Sequence, residues 1–228
     1  ANNPIMRKLN NNAFDDTRIQ TRKPGGVEET NIKAVLLQDD RSFDKNVSEA
    51  EWVASVSVFS LDADQFIKNV ETHTWDVVLI DFPDPSSIEL SKLYSKQFYL
   101  KLAKNLKKDA LIAIQSTSPY HAKEAFLTIG NTLRAAGFKA LPYRQNVPSF
   151  GDWGFYLAWK SDDSQQDMKD KIKGVGQFRV NTSFITTELL TASLAFGKGE
   201  LESSTHCVNS IMQPCLVKQY TDHSWLIE

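Results

Sequence analysis

Asp76-Val77-Val78-Leu79-Ile80-Asp81-Phe82-Pro83-Asp84-Pro85 decides how this chain is read. Its first half is a short apolar run of β-branched and aliphatic residues, the pattern of a strand buried on both faces. Its second half sets two carboxylates three residues apart in a loop stiffened by Pro83 and Pro85. Proline fixes φ and lacks the N–H a helix needs, so the acids belong to a rigid loop. Buried carboxylates are costly, which places that loop at the surface or beside a cleft.

The same strand-then-polar pattern extends in both directions. Upstream, Val56, Val58 and Leu61 mark a strand and Phe66 to Val70 a helix. Downstream, Tyr94, Phe98, Leu102 and Leu106 share a helical face, and Ala110 to Ile114 is a further strand. Ala122, Phe126, Ile129 and Leu133 form the next helical stripe, which Gly137 ends because it takes a positive φ freely. Phe138 to Val147 and Gly154 to Trp159 then read as two strands joined by a Pro-Ser-Phe-Gly-Asp turn. This alternation predicts an α/β fold with a mostly parallel sheet, covered on both faces, and an antiparallel hairpin at its C-terminal end.

The flanks are less regular. Residues 1–20 read as a helix end and a turn, carried by Ile5, Met6 and Leu9. Residues 21–53 read as an insertion holding one short strand within Ile32 to Leu37. Residues 54–160 are the core, and 161–228 form a helical and extended tail packed on it. Within the tail, Ser161 to Asp170 is a solvated loop or short helix. Thr186 to Phe196 is an amphipathic helix burying Leu189, Leu190 and Leu194.

Composition excludes several functions. Among 228 residues, 26 are basic and 28 acidic, so the net charge of −2 speaks against a nucleic-acid surface. Hydrophobic residues make up 41%, ample for a buried core, yet no apolar run approaches the ~18 residues of a membrane helix. His73, His121, His206 and His223 have no metal-ligand spacing, and no metal site is expected. Cys207 and Cys215 read as small separate hydrophobes in a reducing compartment.

In a parallel sheet, ligands gather beyond the carboxyl ends of the strands, where loop amides and helix N-termini converge. Leu61 to Asp64, Asp81 to Pro85 and Gln115 to Tyr120 lie at that edge, and the Pro148 to Phe155 turn is expected to lean over it. Asp81 is the foremost functional acid. Asp84 and Asp62 suit a functional role and the capping of a following helix equally well. Gln115 suits a ligand contact or the satisfaction of loop backbone. For Trp153, Phe150 and Tyr120, packing outweighs stacking on a ligand.

Four stretches, taken together, resemble a known family: Asp76 to Pro85; Lys92-Leu93-Tyr94-Ser95-Lys96-Gln97-Phe98-Tyr99; Gln115-Ser116-Thr117-Ser118-Pro119-Tyr120; and Val147-Pro148-Ser149-Phe150-Gly151-Asp152-Trp153-Gly154-Phe155. The family is the polyamine aminopropyltransferases, or spermidine synthases, and in particular the bacterial branch with membrane helices ahead of the catalytic domain. The resemblance implies a Rossmann-like, methyltransferase-type fold. It implies transfer of an aminopropyl group from decarboxylated S-adenosylmethionine, as co-substrate, to a diamine such as putrescine, with no other cofactor. By resemblance Asp81 is the catalytic acid, and Asp84, Gln115 and Trp153 bind the amine. Asp62 and Ala63 contact the adenine. A homo-oligomer and a site of action at the cytoplasmic face, with the full-length protein anchored in the cell membrane, are implied as well.

The chain departs from the family pattern in three places. The glycine-rich loop and the acid that grips the ribose belong ahead of Ala1, so the sheet lacks its first strands and the chain by itself is expected to be inactive. The 21–53 insertion has no counterpart. Val147 stands where many spermidine synthases carry an amine-binding tyrosine. Two other functions remain open at this point: an S-adenosylmethionine-dependent methyltransferase, and a non-catalytic polyamine- or nucleoside-binding module.

Overall fold

Asp62 shows how locally the elements are set. Its carboxylate accepts a hydrogen bond from the Gln65 amide at 2.9 Å, and helix α1 (Ala63–Asn69) starts there. That is three residues earlier than the apolar spacing predicts. The computed structural model describes residues 33–38, 55–178, 180–203 and 206–223, in two compact units that divide between Glu71 and Thr72. In the first unit, the short strand expected near residue 32 is β1 (Lys33–Gln38), paired antiparallel with β2 (Ser55–Ser60). Helix α1 follows, with Ala63, Phe66 and Ile67 buried. The expected helix end at 1–20 and the rest of the insertion lie outside the described residues.

The second unit is built on β3 (Trp75–Ile80), β4 (Leu106–Gln115), β5 (Lys139–Val147) and β6 (Gly151–Trp159), in the spatial order β3-β4-β6-β5. β3 and β4 run parallel with Val78 opposite Ile112 and Ile80 opposite Ile114. β6 is antiparallel to β4 (Ile112 opposite Ala158) and to β5 (Ala140 opposite Ala158). The sheet is therefore mixed, with one parallel pairing and the expected C-terminal hairpin among the described residues.

One face of this sheet, formed by Ile80, Ile112, Ile114, Tyr156 and Ala158, is buried, as are Phe126, Ile129 and Leu133 of α4 (Lys123–Ala135). Phe126 stacks on Tyr156 with ring centroids 4.7 Å apart. Gly137, at φ +88°, ends α4 as its sequence position requires. On the opposite face Leu141, Trp159 and Met168 form a second cluster, with Leu111, Leu157, Ile172 and Leu194 packed on it. Met168 and Ile172 come from α5 (Gln165–Lys173), whose N-terminus Ser164 and Asp167 close as a reciprocal capping box. The expected helix at 186–196 is only α6 (Thr187–Ala192), and none of its residues is fully buried.

Three further expectations are corrected. The Tyr94-to-Leu106 stripe is not one helix. Helix α2 (Ile88–Lys92) ends in a turn, Ser95 caps the separate helix α3 (Lys96–Asn105) through the Phe98 amide, and Leu106 already opens β4. β3 is buried on one face only: Ile80 is buried, whereas Val77 and Leu79 are 61% and 76% exposed. Successive side chains alternate between faces, so Val77 and Leu79 share the face of β3 that is left uncovered. Finally, Cys207 and Cys215 are not separate: they form a disulfide, with Cα atoms 6.7 Å apart. The chain between them doubles back through reciprocal backbone bonds joining Ser210 and Gln213, and Cys215 opens the last helix, α7 (Cys215–His223).

Candidate functional site

The loop after β3 carries the acids. The Asp81 side chain is exposed, and no hydrogen bond or ion pair engages it among the described residues. Three residues on, Asp84 is half-buried and held on both oxygens. Gln115 Nε2 donates to Oδ1 at 2.8 Å, and the Tyr220 hydroxyl donates to Oδ2 at 2.9 Å. The capping role open to Asp84 goes instead to Ser87, whose hydroxyl accepts from the Leu90 amide.

Gln115 is aimed by a third side chain. The Tyr94 hydroxyl lies 2.9 Å from Gln115 Oε1, and 3.1 and 3.2 Å from the carbonyl oxygens of Phe82 and Pro83, so its one hydrogen is shared among three acceptors. Burial pushes the Tyr94 phenol well above its ordinary pKa, and the nearby Tyr99, Asp84 and Asp81 push it the same way, so it stays a donor. The Phe82 ring packs edge-on against Tyr94 and Phe98, with centroids 6.0 and 5.5 Å away, which pins the loop from its apolar side.

The segment after β4 and the hairpin meet at the same rim. The Ser116 amide donates to the Gly154 carbonyl at 2.9 Å, the Gly154 amide donates to the Thr117 carbonyl at 2.8 Å, and the Ser118 hydroxyl donates to the Asp152 carbonyl at 2.7 Å. Thr117 sits at φ +62°, a conformation that β-branched residues seldom adopt. The cross-strand bonds on either side hold it there. A side chain at Gly154 would collide with Phe126, which explains why the hairpin can come this close. Trp153, beside Gly154, is buried against Phe150 at 5.1 Å between centroids. Tyr120 is exposed and lies edge-on to His121.

Asp84 and Gln115 are thus one assembly, Asp81 shares the loop of Asp84 without being bonded to either, and Trp153 is tied to the assembly through residues 116 and 117. Asp62 and Ala63 fall in the first unit, where Asp62 caps α1 and Ala63 is buried. Tyr94 lies inside one of the motifs quoted above, but its part in the site shows only in the fold; for Tyr220 and Asn209 nothing local in the sequence singles them out. Asn209 Nδ2 donates to the carbonyls of Ser91 (2.8 Å) and Tyr94 (3.2 Å), and its Oδ1 accepts from Ser91 Oγ (3.2 Å) and the Leu216 amide (3.4 Å). A groove of about 310 Å³ lined by Arg134, Pro142, Tyr156, Glu202 and His206 contains neither Asp81 nor Asp84. No group of three or more His, Cys, Asp or Glu side chains among the described residues is placed to hold a metal ion.

The chain is similar to several known proteins. The chain is 33% identical over 174 residues to a polyamine aminopropyltransferase of Oceanobacillus iheyensis, covering 75% of this chain and 32% of that protein. It is 28% identical over 218 residues to polyamine aminopropyltransferase 2 of Aquifex aeolicus, covering 96% of this chain and 35% of that one. It therefore spans about a third of the length of these relatives. Among solved structures it is similar to the spermidine synthase of Thermotoga maritima, at 19% identity and a TM-score of 0.48 over 62% of this chain and 47% of the other. The family model of the spermine/spermidine synthase domain matches residues 41–170, which takes in both acids, Gln115 and the whole hairpin. Because that match spans more than half of the sequence, the chain belongs to the spermine/spermidine synthase family.

Proposed function

We propose that the protein to which this chain belongs is a polyamine aminopropyltransferase, moving the aminopropyl group of decarboxylated S-adenosylmethionine to a diamine such as putrescine. The observation that supports this most is the contrast between the two acids: Asp84 is clamped on both oxygens, and Asp81, on the same rigid loop, is not.

A diamine at neutral pH carries two ammonium groups, and an ammonium has no lone pair with which to attack carbon. In the proposed mechanism Asp84 holds the remote ammonium by charge-assisted hydrogen bonding, on lone pairs that Gln115 and Tyr220 leave open. Asp81 accepts the proton of the reacting nitrogen as general base. The freed pair attacks the aminopropyl carbon next to sulfur, and the C–S bond breaks with its electrons going to sulfur. The products are the elongated amine and neutral methylthioadenosine. A sulfonium leaves without acid assistance, so the protein's task is positioning and proton removal. Gln115 and Trp153 line the amine side, and Asp62 with Ala63 contacts the adenine in the same proposal. A homo-oligomer, and anchoring at the cytoplasmic face through upstream membrane helices, belong to the same proposal; among the described residues no helix is long and apolar enough to cross a membrane.

The test is product analysis on the intact protein. Methylthioadenosine and spermidine are expected from decarboxylated S-adenosylmethionine and putrescine. Asp81→Asn should lower turnover by about 10²- to 10⁴-fold, the usual contribution of a general base. Methyl transfer from carboxylated S-adenosylmethionine would replace this reading with a methyltransferase. Amine binding without any product would replace it with a binding module.

A further inference from the structure

Two segments far apart in sequence hold the Asp84 carboxylate. Gln115 comes from the end of β4, and Tyr220 lies on α7, 136 residues beyond the acid. Helix α7 is no loose tail. Its first residue, Cys215, is bound to Cys207, Leu216 is fully buried, Gln219 accepts from the Thr128 hydroxyl, and the Leu216 amide donates to Asn209. Asn209 is itself fixed, since its amide donates to Thr132 Oγ1 at 2.9 Å and its carbonyl accepts from the Lys96 amide at 2.9 Å. The Tyr220 phenol is therefore delivered to Asp84 by a framework with anchors on α3, α4 and the disulfide loop.

A phenol donating to a carboxylate makes a charge-assisted bond and still leaves that oxygen a lone pair. With one donor on each oxygen, the carboxylate plane cannot turn without breaking a bond. We propose that Tyr220 is a positioning residue for the amine acceptor: it fixes the plane of Asp84 so that the open lone pairs face the remote ammonium. The inference rests on the reading of Asp84 given above. Tyr220 acts through Asp84, and removing its hydroxyl should weaken amine capture and leave the chemical step and the donor site alone.

The experiment is Tyr220→Phe in the intact protein, with both substrates varied and putrescine binding measured by calorimetry. The amine KM and Kd should each rise about tenfold, the usual worth of one hydrogen bond to a charged group. The donor KM, kcat and melting temperature should stay close to wild type. In Asp84→Asn the further change Tyr220→Phe should add little, because the two residues act as one unit. An unchanged amine KM and Kd in Tyr220→Phe overturns the inference while leaving aminopropyl transfer intact. Equal losses for amine and donor with a lowered melting temperature also overturn it, in favour of packing alone. A wild-type protein that neither turns over nor binds putrescine sinks the proposed function first and this inference with it.

Discussion

The Tyr94 hydroxyl lies 2.9 Å from Gln115 Oε1, and the nitrogen of the same amide lies 2.8 Å from Asp84 Oδ1. The phenol thereby decides which way the amide faces. With its oxygen satisfied by Tyr94, Gln115 presents its nitrogen to the acid; the reverse orientation would press oxygen against carboxylate. Tyr94→Phe removes the donor and leaves the buried Gln115 oxygen and the Phe82 carbonyl short of a partner. A loss of about 1–3 kcal/mol in denaturant melts is expected, with a raised amine KM in steady-state kinetics.

Gly154 is the place where the hairpin touches the rim most closely. A Cβ there would lie 2.5 Å from a Phe126 ring carbon and 2.9 Å from the Thr117 carbonyl oxygen. The ring is fully buried and stacked on Tyr156, and that carbonyl is held by the Gly154 amide, so neither yields easily. Gly154→Ala should cost about 1–3 kcal/mol. Hydrogen exchange should quicken at residues 115–120 before it does in α4.

The disulfide closes a small loop, its cysteines being eight residues apart. Closing a loop of that size removes about 2–3 kcal/mol of denatured-state entropy on the chain-entropy account. Cys207→Ser should lower the melting temperature accordingly. Reduced wild-type protein should melt with the variant, and adding reductant to the variant should change nothing.

Alkaline pH should unfold the protein through its buried phenols. Burial pushes Tyr94, Tyr99 and Tyr156 far above the ordinary tyrosine value, and Tyr143 to about 12. In the unfolded chain all four ionise near pH 10. Above that pH the native state holds more protons than the unfolded state, so stability falls as pH rises. Each phenol contributes about 1.4 kcal/mol per pH unit between its unfolded and folded values. Melts from pH 7 to 12 should therefore run level to about pH 10 and then drop steeply.

Much of this was legible in the sequence because it is local. The β3 strand, the proline-stiffened acid loop, the α4 stripe with its terminal glycine and the hairpin each follow from residues a few positions apart. Asp62 and Asp84 mark the limit. Each precedes a helix and is chemically fit to cap it. Only Asp62 does so, since the helix begins at the next residue; after Asp84, Pro85 and Ser86 intervene and Ser87 takes the cap. Tyr220 and Asn209 were not legible, because their partners are set by how distant segments fold back; the cysteine pair depends on a tight reversal of the chain between residues 210 and 213. The one-sided burial of β3 was misread for a related reason: an apolar run reports what a strand is made to be covered by, not which of its faces is covered.

That strand has a practical consequence. Leu79 and Val77 face solvent on an edge that no described residue pairs, within two to four positions of Asp81. An uncovered apolar rim of this kind is adhesive. Preparations of residues 72–228 alone would tend to clump by adding a strand from a neighbouring molecule, and the clumping would crowd the very loop that carries the reactive acid. A lysine in place of Leu79 is the simplest shield for handling that piece in concentrated solution.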